Sequence, residues 1–160
     1  MLRMIRPIMD FVKRFDAELR LDENFIVKKR NKCFLLNEKL KNFVRESFFY
    51  AGIYLGEIRN GGFFPSISLL KMIAERAANK IVVDRKTEWL FICGRDIFRQ
   101  GIIKVNGSKR KGDFTLVLNI HGECLGFGEI TRNLDEKGSG VYVKNILDIG
   151  DFLRREKRNS

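Results

Sequence analysis

The residues of this chain whose types and spacing could do chemistry are basic, and they fall in three clusters within its second half. Guanidinium and ammonium groups bind phosphate oxygens through charge-assisted hydrogen bonds, and adjacent cations hold successive phosphates of a polymer. The expected chemistry is therefore non-covalent binding of a polyanion. The candidate binding residues are Arg95, Arg99 and Gly101, then Lys109, Arg110 and Lys111, and finally Arg154, Arg155, Lys157 and Arg158.

Each cluster also has a structural interpretation that the residues alone leave open. Arg95 and Arg99 are four apart on a predicted short helix, so they share one face, and Gly101 lets a phosphate approach the backbone. Alternatively, Gly101 ends the helix and Arg99 binds its terminal carbonyls. The run from Lys109 to Lys111 is equally compatible with a solvated loop tip. The terminal cations are equally compatible with stabilising a helix dipole.

No stretch of the chain satisfies the requirements of a catalytic or cofactor-binding motif. Residues 107–112 have the glycine spacing of a phosphate-binding loop, but Asp113 and Phe114 stand where Lys and Ser or Thr are needed. Residues 126–128 lack the third glycine of a dinucleotide fingerprint. His121 is the only histidine, and a zinc site would need Cys partners at a spacing that is missing. We therefore expect neither an enzyme nor a cofactor or metal site.

The charge balance favours nucleic acid as the partner. Thirty-one Lys and Arg residues against 20 Asp and Glu give this chain of 160 residues a net charge of +11 and a pI near 9.8. An anionic membrane surface is the competitor, but no apolar run approaches the roughly 18 residues of a spanning helix, and we expect no signal peptide or lipid anchor. Three widely spaced cysteines indicate a reducing compartment, so a cytoplasmic location is expected.

In the first half of the chain, the apolar spacing predicts helices that alternate with strands. A helix is expected at residues 6–19, where apolar residues recur at helical spacing. Asn37 is expected to cap a second helix at residues 38–45, which would turn Phe43 and Val44 inward. The other predicted elements are strands at residues 25–27, 33–36, 52–58 and 81–83, a polar turn at 28–32, and a helix that begins at Ser66 or Ser68 and ends at Asn79.

The second half has the pattern of a small β-barrel. Apolar runs separated by turn signals at residues 106–107 and 121–122 predict four or five short strands. Residues 89–92 are expected to form a strand that leads into a one-turn helix closed by Gly101. A basic helix is expected after Asp148.

The polar residues 84–88 mark the expected boundary between the two halves. The prediction is an α+β fold, in which an α/β domain spans residues 1–86 and a β-barrel domain with a C-terminal helix spans residues 87–160. We expect the segment 89–160 to fold alone, because it carries a complete barrel pattern.

Several motifs of the chain resemble a known family. The order of motifs from residue 89 onward resembles a PUA domain, the RNA-binding module named after pseudouridine synthases and archaeosine transglycosylases. The motifs at residues 33–40, 51–58 and 67–78 resemble the pre-PUA domain of the Nip-seven family of ribosome biogenesis proteins. Trp89-Leu90-Phe91-Ile92 opens the barrel order, and the most specific pieces are Leu125-Gly126-Phe127-Gly128 and Asp148-Ile149-Gly150.

The resemblance implies a non-catalytic RNA-binding factor. Such a factor helps to mature large-subunit ribosomal RNA and contacts other assembly proteins through its N-terminal domain. In the family pattern, Arg99 and Gly101 fall at the basic end of the barrel helix, and Arg154 and Arg155 follow the terminal Asp-Ile-Gly motif. The tail after these arginines is more basic than in eukaryotic members, so the chain looks like an archaeal form. This feature favours the cytoplasm over the nucleus or nucleolus of a eukaryotic cell.

Two alternatives from other function classes stay open at this point. PUA domains are often fused to RNA-modification enzymes, so the chain could be such an enzyme or its accessory subunit. It could also be an adaptor in translation or RNA degradation, whose charge only keeps it soluble.

Overall fold

The fold is described from a computed structural model, which covers residues 2–43 and 51–158 and, for residues 2–4 and 156–158, the backbone only. It is an α+β fold, as predicted. The helices are α1 (Leu2–Lys13), α2 (Glu38–Phe43), α3 (Ile67–Ala74), α4 (Arg85–Ile92) and α5 (Ile149–Arg158). The strands are β1 (Ile26–Lys29), β2 (Lys32–Leu35), β3 (Ile53–Arg59), β4 (Gly62–Pro65), β5 (Lys80–Val83), β6 (Ile97–Phe98), β7 (Ile102–Asn106), β8 (Phe114–Leu118), β9 (Cys124–Ile130) and β10 (Val141–Asp148).

The first sheet is an antiparallel meander in the order β1-β2-β3-β4. The predicted hairpin is confirmed, with a turn at Arg30 and Asn31 that is tighter than the polar run 28–32. Arg30 adopts a left-handed conformation there (φ 53°). The break at Asn60 and Gly61 is a second hairpin turn and leads into β4, which was not predicted because Gly and Pro bound it.

The second sheet has six strands in the order β6-β10-β9-β8-β5-β7 and curls into a half-barrel. All its pairs are antiparallel except β5 with β8, which run parallel from Lys80 opposite Leu116 to Val82 opposite Leu118. Sequence analysis assigned β5 to the first half of the chain, and that assignment is wrong, because β5 lies between β8 and β7. The division at residues 86 and 87 stays a prediction.

Helices α1 and α3 end earlier than their apolar spacing suggested, and α3 ends at Ala74 rather than at Asn79. Helix α1 ends at Lys13 rather than at Leu19, because Asp16 adopts a left-handed conformation (φ 51°). Leu19 is buried all the same, in the extended segment that follows. Helix α2 begins after the Asn37 cap, but Phe43 is 81% exposed, so its predicted inward position is wrong; Val44 lies outside the described residues. Among the residues described, no helix has the length and apolarity to cross a membrane.

The prediction of a strand at residues 89–92 is also wrong, because these residues belong to α4. Asp84 caps this helix: its carboxylate accepts a hydrogen bond from the Thr87 amide at 2.7 Å. The polar run 84–88, where the boundary was expected, is therefore the start of a helix. A short apolar run does not by itself distinguish a strand from a helix, and only the cap preceding it identifies the helix.

Phenylalanine rings from both halves pack into one hydrophobic core. Phe11 of α1 and Phe15 in the turn after it lie with their ring centroids 5.4 and 5.5 Å from that of Phe127 on β9. Phe114 of β8 completes the cluster at 5.3 Å from Phe127. The edge-to-face packing of Phe11 and Phe15 on Phe127 adds to the free energy gained by burying the rings. Helix α1 is thereby held against the second sheet.

Candidate nucleic-acid interface

Arg95 and Arg99 do not share a helix face. Helix α4 ends at Ile92, Gly94 redirects the chain with a φ of 88°, and Arg95 lies exposed in the loop before β6. Arg99 instead begins a single 3-10 turn. Its Nε donates a hydrogen bond to the carbonyl of Leu134 at 3.0 Å, and one terminal nitrogen lies 3.5 Å from the carbonyl of Ile102. The prediction of a common helix face is wrong, because a loop and strand β6 separate the two residues.

Gly101 is buried, and its missing side chain makes room for helix α4. A Cβ at this position would lie 2.0 Å from the hydroxyl oxygen of Thr87. The Gly101 carbonyl accepts a hydrogen bond from the Asp84 amide at 3.0 Å, which fixes the start of the same helix. The glycine therefore permits close helix packing, and neither a phosphate contact nor a left-handed helix end explains it.

The backbone of the loop with Lys109, Arg110 and Lys111 is fixed by hydrogen bonds to neighbouring segments. The Leu134 amide donates to the Lys109 carbonyl at 2.9 Å, and the Lys111 amide donates to the Asn133 side chain at 2.8 Å. The start of the loop is fixed by the buried Asn79, whose side-chain oxygen accepts from the Ser108 amide at 2.9 Å. The backbone is thus ordered while the three cationic side chains point to solvent.

The ionic partners of these three cations differ. Lys109 Nζ lies 3.0 Å from the Asp135 carboxylate, and Arg110 Nε lies 3.4 Å from that of Asp113. Lys111 has no ion pair with any residue in the described ranges. Exposed pairs of this kind are weak, so Lys109 and Arg110 can exchange their partners for a phosphate, and Lys111 has no ionic partner among those residues to give up.

The structure brings Arg99 and Lys109 together at one small surface cavity. The cavity has a volume of about 210 Å³, and Ile103, Leu134 and Asp135 also line it. Because the two cations come from the start of the 3-10 turn and from the loop after β7, this proximity depends on the sheet. It could not be read from their spacing in the sequence.

The C-terminal arginines have separate roles. One Arg154 terminal nitrogen lies 3.1 and 3.2 Å from the two carboxylate oxygens of Asp148, and the other donates to the Ile92 carbonyl at 2.9 Å. A Cβ on Gly150 would lie 2.2 Å from that same carbonyl. The Asp-Ile-Gly motif therefore docks α5 against α4, and Arg154 is engaged within the fold. Lys157 is in the last turn of α5 with Arg158, and both side chains lie outside the described part of the chain.

Arg155 faces a groove that sequence analysis did not predict. This groove, called the aromatic groove below, has a volume of about 780 Å³. One wall is formed by α1 and β4, and the other by β8, β9 and β10. The residues that give it its chemical character are Arg6, Asp10, Phe11, Arg14, Phe63, Phe114, Phe127 and Arg155. The spacing of four between Arg6, Asp10 and Arg14 was the sequence signal for a shared face.

Two of the three cysteines are poor nucleophiles. Burial raises the pKa of the Cys124 thiol to about 11, and burial likewise raises the pKa of Cys33 above its usual value. Both thiols are protonated at neutral pH, whereas thiol catalysis requires the thiolate. No group of His, Cys, Asp and Glu side chains within residues 5–43 and 51–155 is arranged to hold a metal ion.

Comparison with known proteins identifies the second half of the chain. Residues 79–157 match the family described as the UPF0113 PUA domain. This part of the chain is thus similar to a UPF0113 PUA domain. The match begins at Asn79, directly before β5, in agreement with the place of that strand in the second sheet.

Relatives match beyond this domain. A UPF0113 protein of Archaeoglobus fulgidus is 30% identical over 112 residues, which are 68% of this chain and 63% of that protein. The matched part of the chain thus spans less than two thirds of that relative's length. The 60S ribosome subunit biogenesis protein NIP7 homolog of Dictyostelium discoideum is 24% identical over 149 residues, 86% of this chain and 82% of that protein. The resemblance to the Nip-seven family is thereby confirmed.

The fold is shared with a solved structure. A conserved PUA domain protein from Thermoplasma acidophilum superposes with a TM-score of 0.63 at 20% sequence identity, over 96% of this chain and 94% of that one. At this identity the likeness concerns the fold, and it extends over both sheets. The predicted combination of an α+β fold with a PUA barrel is confirmed.

Proposed function

We propose that this protein binds RNA through cations of its PUA domain and takes part in the assembly of the large ribosomal subunit. The observation that carries the proposal is the cavity shared by Arg99 and Lys109. The guanidinium of Arg99 is held by backbone carbonyls, so it is already positioned before a ligand arrives. The side chain of Lys109 remains 48% exposed and can reach a phosphate.

The relationship to known proteins supports the ribosomal part of the proposal. The Dictyostelium relative is named as a 60S ribosome subunit biogenesis protein, and its match covers both halves of this chain. We infer the same setting here: ribosomal RNA or its precursor as the ligand, and ribosome assembly proteins as partners of the N-terminal half. The role is non-catalytic, and the three free cysteines suit a reducing, cytoplasmic location.

The test is RNA binding by the whole protein as a function of salt. With about four to six phosphate contacts, the logarithm of the affinity for single-stranded RNA should fall against the logarithm of salt with a slope of roughly −3 to −4. Crosslinking in cells, followed by sequencing of the bound RNA, should enrich large-subunit ribosomal sequences. A slope near zero, or crosslinks without ribosomal enrichment, would contradict the proposal.

The enzymatic alternative has its own readout. The protein is incubated with ribosomal and transfer RNA, and the nucleosides are then analysed by mass spectrometry. Unaltered nucleosides are expected, because burial raises the pKa of the Cys33 and Cys124 thiols and makes both poor nucleophiles. Reproducible modification would replace the binding role with a catalytic one.

A further inference from the structure

The aromatic groove is a second place where RNA chemistry fits, apart from the cavity at Arg99. We propose that it binds an unpaired nucleotide of a single-stranded RNA segment, with the base against phenylalanine rings and the phosphates at the arginines. This inference rests on the proposed RNA-binding function. The volume of about 780 Å³ lies within the range of roughly 300 to 1,000 Å³ that is usual for small-ligand sites.

The aromatic floor of the groove is rigid and partly open. Phe11 and Phe127 are buried, with centroids 5.4 Å apart, and they support the half-buried Phe63 and Phe114 above them. The centroid of Phe63 lies 5.6 Å from that of Phe11. Half-buried rings on a packed base offer a hydrophobic surface that needs no rearrangement on binding. Unstacked bases bind such surfaces, whereas bases within a duplex do not reach them.

The rim of the groove is cationic. Arg14 lies over the ring of Phe114, with its Cζ 3.8 Å from the ring centroid, and it has no ion pair with the described side chains of residues 5–43 and 51–155. Its planar guanidinium therefore extends the aromatic surface and carries an unneutralised charge. Arg6 has only a long, exposed pairing with Asp10, at 3.7 Å.

Charge complementarity selects the occupant of the groove. Arg155 supplies a third guanidinium at the rim, while Asp10 is the one acidic residue among those that line the groove in the described part of the chain. Arg6 and Arg155 have acidic partners on the protein, Asp10 at 3.7 Å and Asp151 at 2.8 Å. An aliphatic peptide or lipid chain would leave Arg14 without an anionic partner and would offer the other two arginines no phosphate. A nucleotide satisfies both parts of the groove at once, because it joins an aromatic base to a phosphate.

The test places one negative charge inside the groove and, as a control, the same charge outside it. Ile146 lines the groove and is 41% exposed; Ile120 does not line it and is 43% exposed. Ile146→Glu and Ile120→Glu therefore change size, exposure and net charge alike. We expect Ile146→Glu to weaken binding of a labelled single-stranded oligoribonucleotide at least about fivefold relative to Ile120→Glu, the lower end of what one stacked base contributes.

A second pair of variants keeps the test decisive if the first does not fold. Arg14→Gln and Lys13→Gln remove one charge each from neighbouring exposed positions, and only Arg14 lines the groove. Arg14→Gln should weaken binding of the single strand and leave binding of a blunt duplex equal to that of Lys13→Gln. An oligonucleotide with abasic sites should bind the wild-type protein about as weakly as the intact strand binds Arg14→Gln.

Three outcomes overturn the inference. Equal losses within each pair of variants would mean that only total charge matters. Equal effects on single strands and duplex would mean that the groove contacts backbone alone. Wild-type protein that binds no RNA at all would remove the proposed function itself, whereas wild-type binding with unaffected groove variants would remove this inference and leave the proposed function in place.

Discussion

The guanidinium of Arg154 holds both carboxylate oxygens of Asp148, at 3.1 and 3.2 Å, across the junction of β10 and α5. Asp148 is almost completely buried, and it also accepts hydrogen bonds from the Asn145 side chain and the Asp151 amide. A buried carboxylate of this kind needs all its partners, because leaving it unsatisfied is costly. One of the arginines predicted to bind RNA thus stabilises the terminal helix.

Replacing Arg154 should therefore affect stability more than RNA binding. We expect Arg154→Ala to lower the free energy of unfolding by about 1 to 3 kcal/mol, since a buried charge loses one partner while Asn145 and Asp151 remain. Arg155→Ala should cost less than about 1 kcal/mol, because the Arg155 side chain is 52% exposed. Urea denaturation of both variants measures the difference. Equal stabilities would show that the Asp148 pair does not fix α5.

Gly101→Ala separates packing from ligand binding. The added methyl group would clash with the Thr87 side chain, so we expect a loss of about 1 to 3 kcal/mol in the free energy of unfolding. The double variant with Thr87→Ala should recover part of this loss, because the hydroxyl oxygen and methyl group of Thr87 are then gone. Thermal unfolding of the two variants tests this. A single variant of normal stability with weakened RNA binding would restore the phosphate-contact interpretation.

Elements with local signals were predictable from the sequence. The Asn37 side chain accepts the Leu40 amide at 2.8 Å, and the Ser66 side chain accepts the Leu69 amide at 3.1 Å, so both predicted helix caps are confirmed. The hairpin of β1 and β2 was predictable because two apolar runs flank a polar turn. Such features depend on residues within a few positions of each other.

Contacts between distant segments were not predictable. Strand β5 pairs in parallel with β8, and Arg99 reaches the carbonyl of Leu134 across 35 positions of sequence. No spacing rule links such residues, since only the packed sheet brings them together. The aromatic groove has the same origin: Phe11 and Phe127 meet because α1 packs on the second sheet. The candidate cations could be named from composition, but which of them face a shared cavity could not.

The place of β5 leads to a prediction about fragments. A fragment of residues 89–160 lacks β5 and should not fold, although its sequence suggested a complete barrel, because β8 and β7 would both lose their shared neighbour. A fragment of residues 79–160 retains the strand and should unfold cooperatively, but at a lower temperature than the whole protein. The reason is that Phe114 and Phe127 lose their packing against Phe11. Circular dichroism with thermal unfolding compares them. A cooperative transition in the shorter fragment would contradict this.

The cysteines should report on the integrity of the shared core. At neutral pH, only the exposed Cys93 should react quickly with a thiol reagent, whereas Cys33 and Cys124 should react only after unfolding. The pKa of Cys124 is raised to about 11 in the folded protein, so protonation of the buried thiol favours the folded state. This contribution to stability is present below the unfolded pKa of about 9 and is lost as pH rises towards 11. Mass spectrometry of labelled protein checks the first expectation, and urea denaturation at pH 8 and pH 10.5 checks the second. Rapid labelling of Cys124 in folded protein would contradict its buried position.

The most direct prediction about the RNA site concerns the ordered loop before β8. Lys109→Ala with Lys111→Ala should reduce RNA affinity about tenfold at low salt and should make the salt slope shallower by roughly 1.4, as expected when two phosphate contacts to a single strand are lost. The matched control is Lys28→Ala with Lys32→Ala, which removes two exposed cations from the hairpin of β1 and β2. Net charge is the same in both double variants. If RNA binds at a specific interface, only the first variant should lose RNA affinity. Equal affinities and equal slopes in the two variants would mean that binding follows total charge, and the cavity at Arg99 and Lys109 would then cease to be the candidate site.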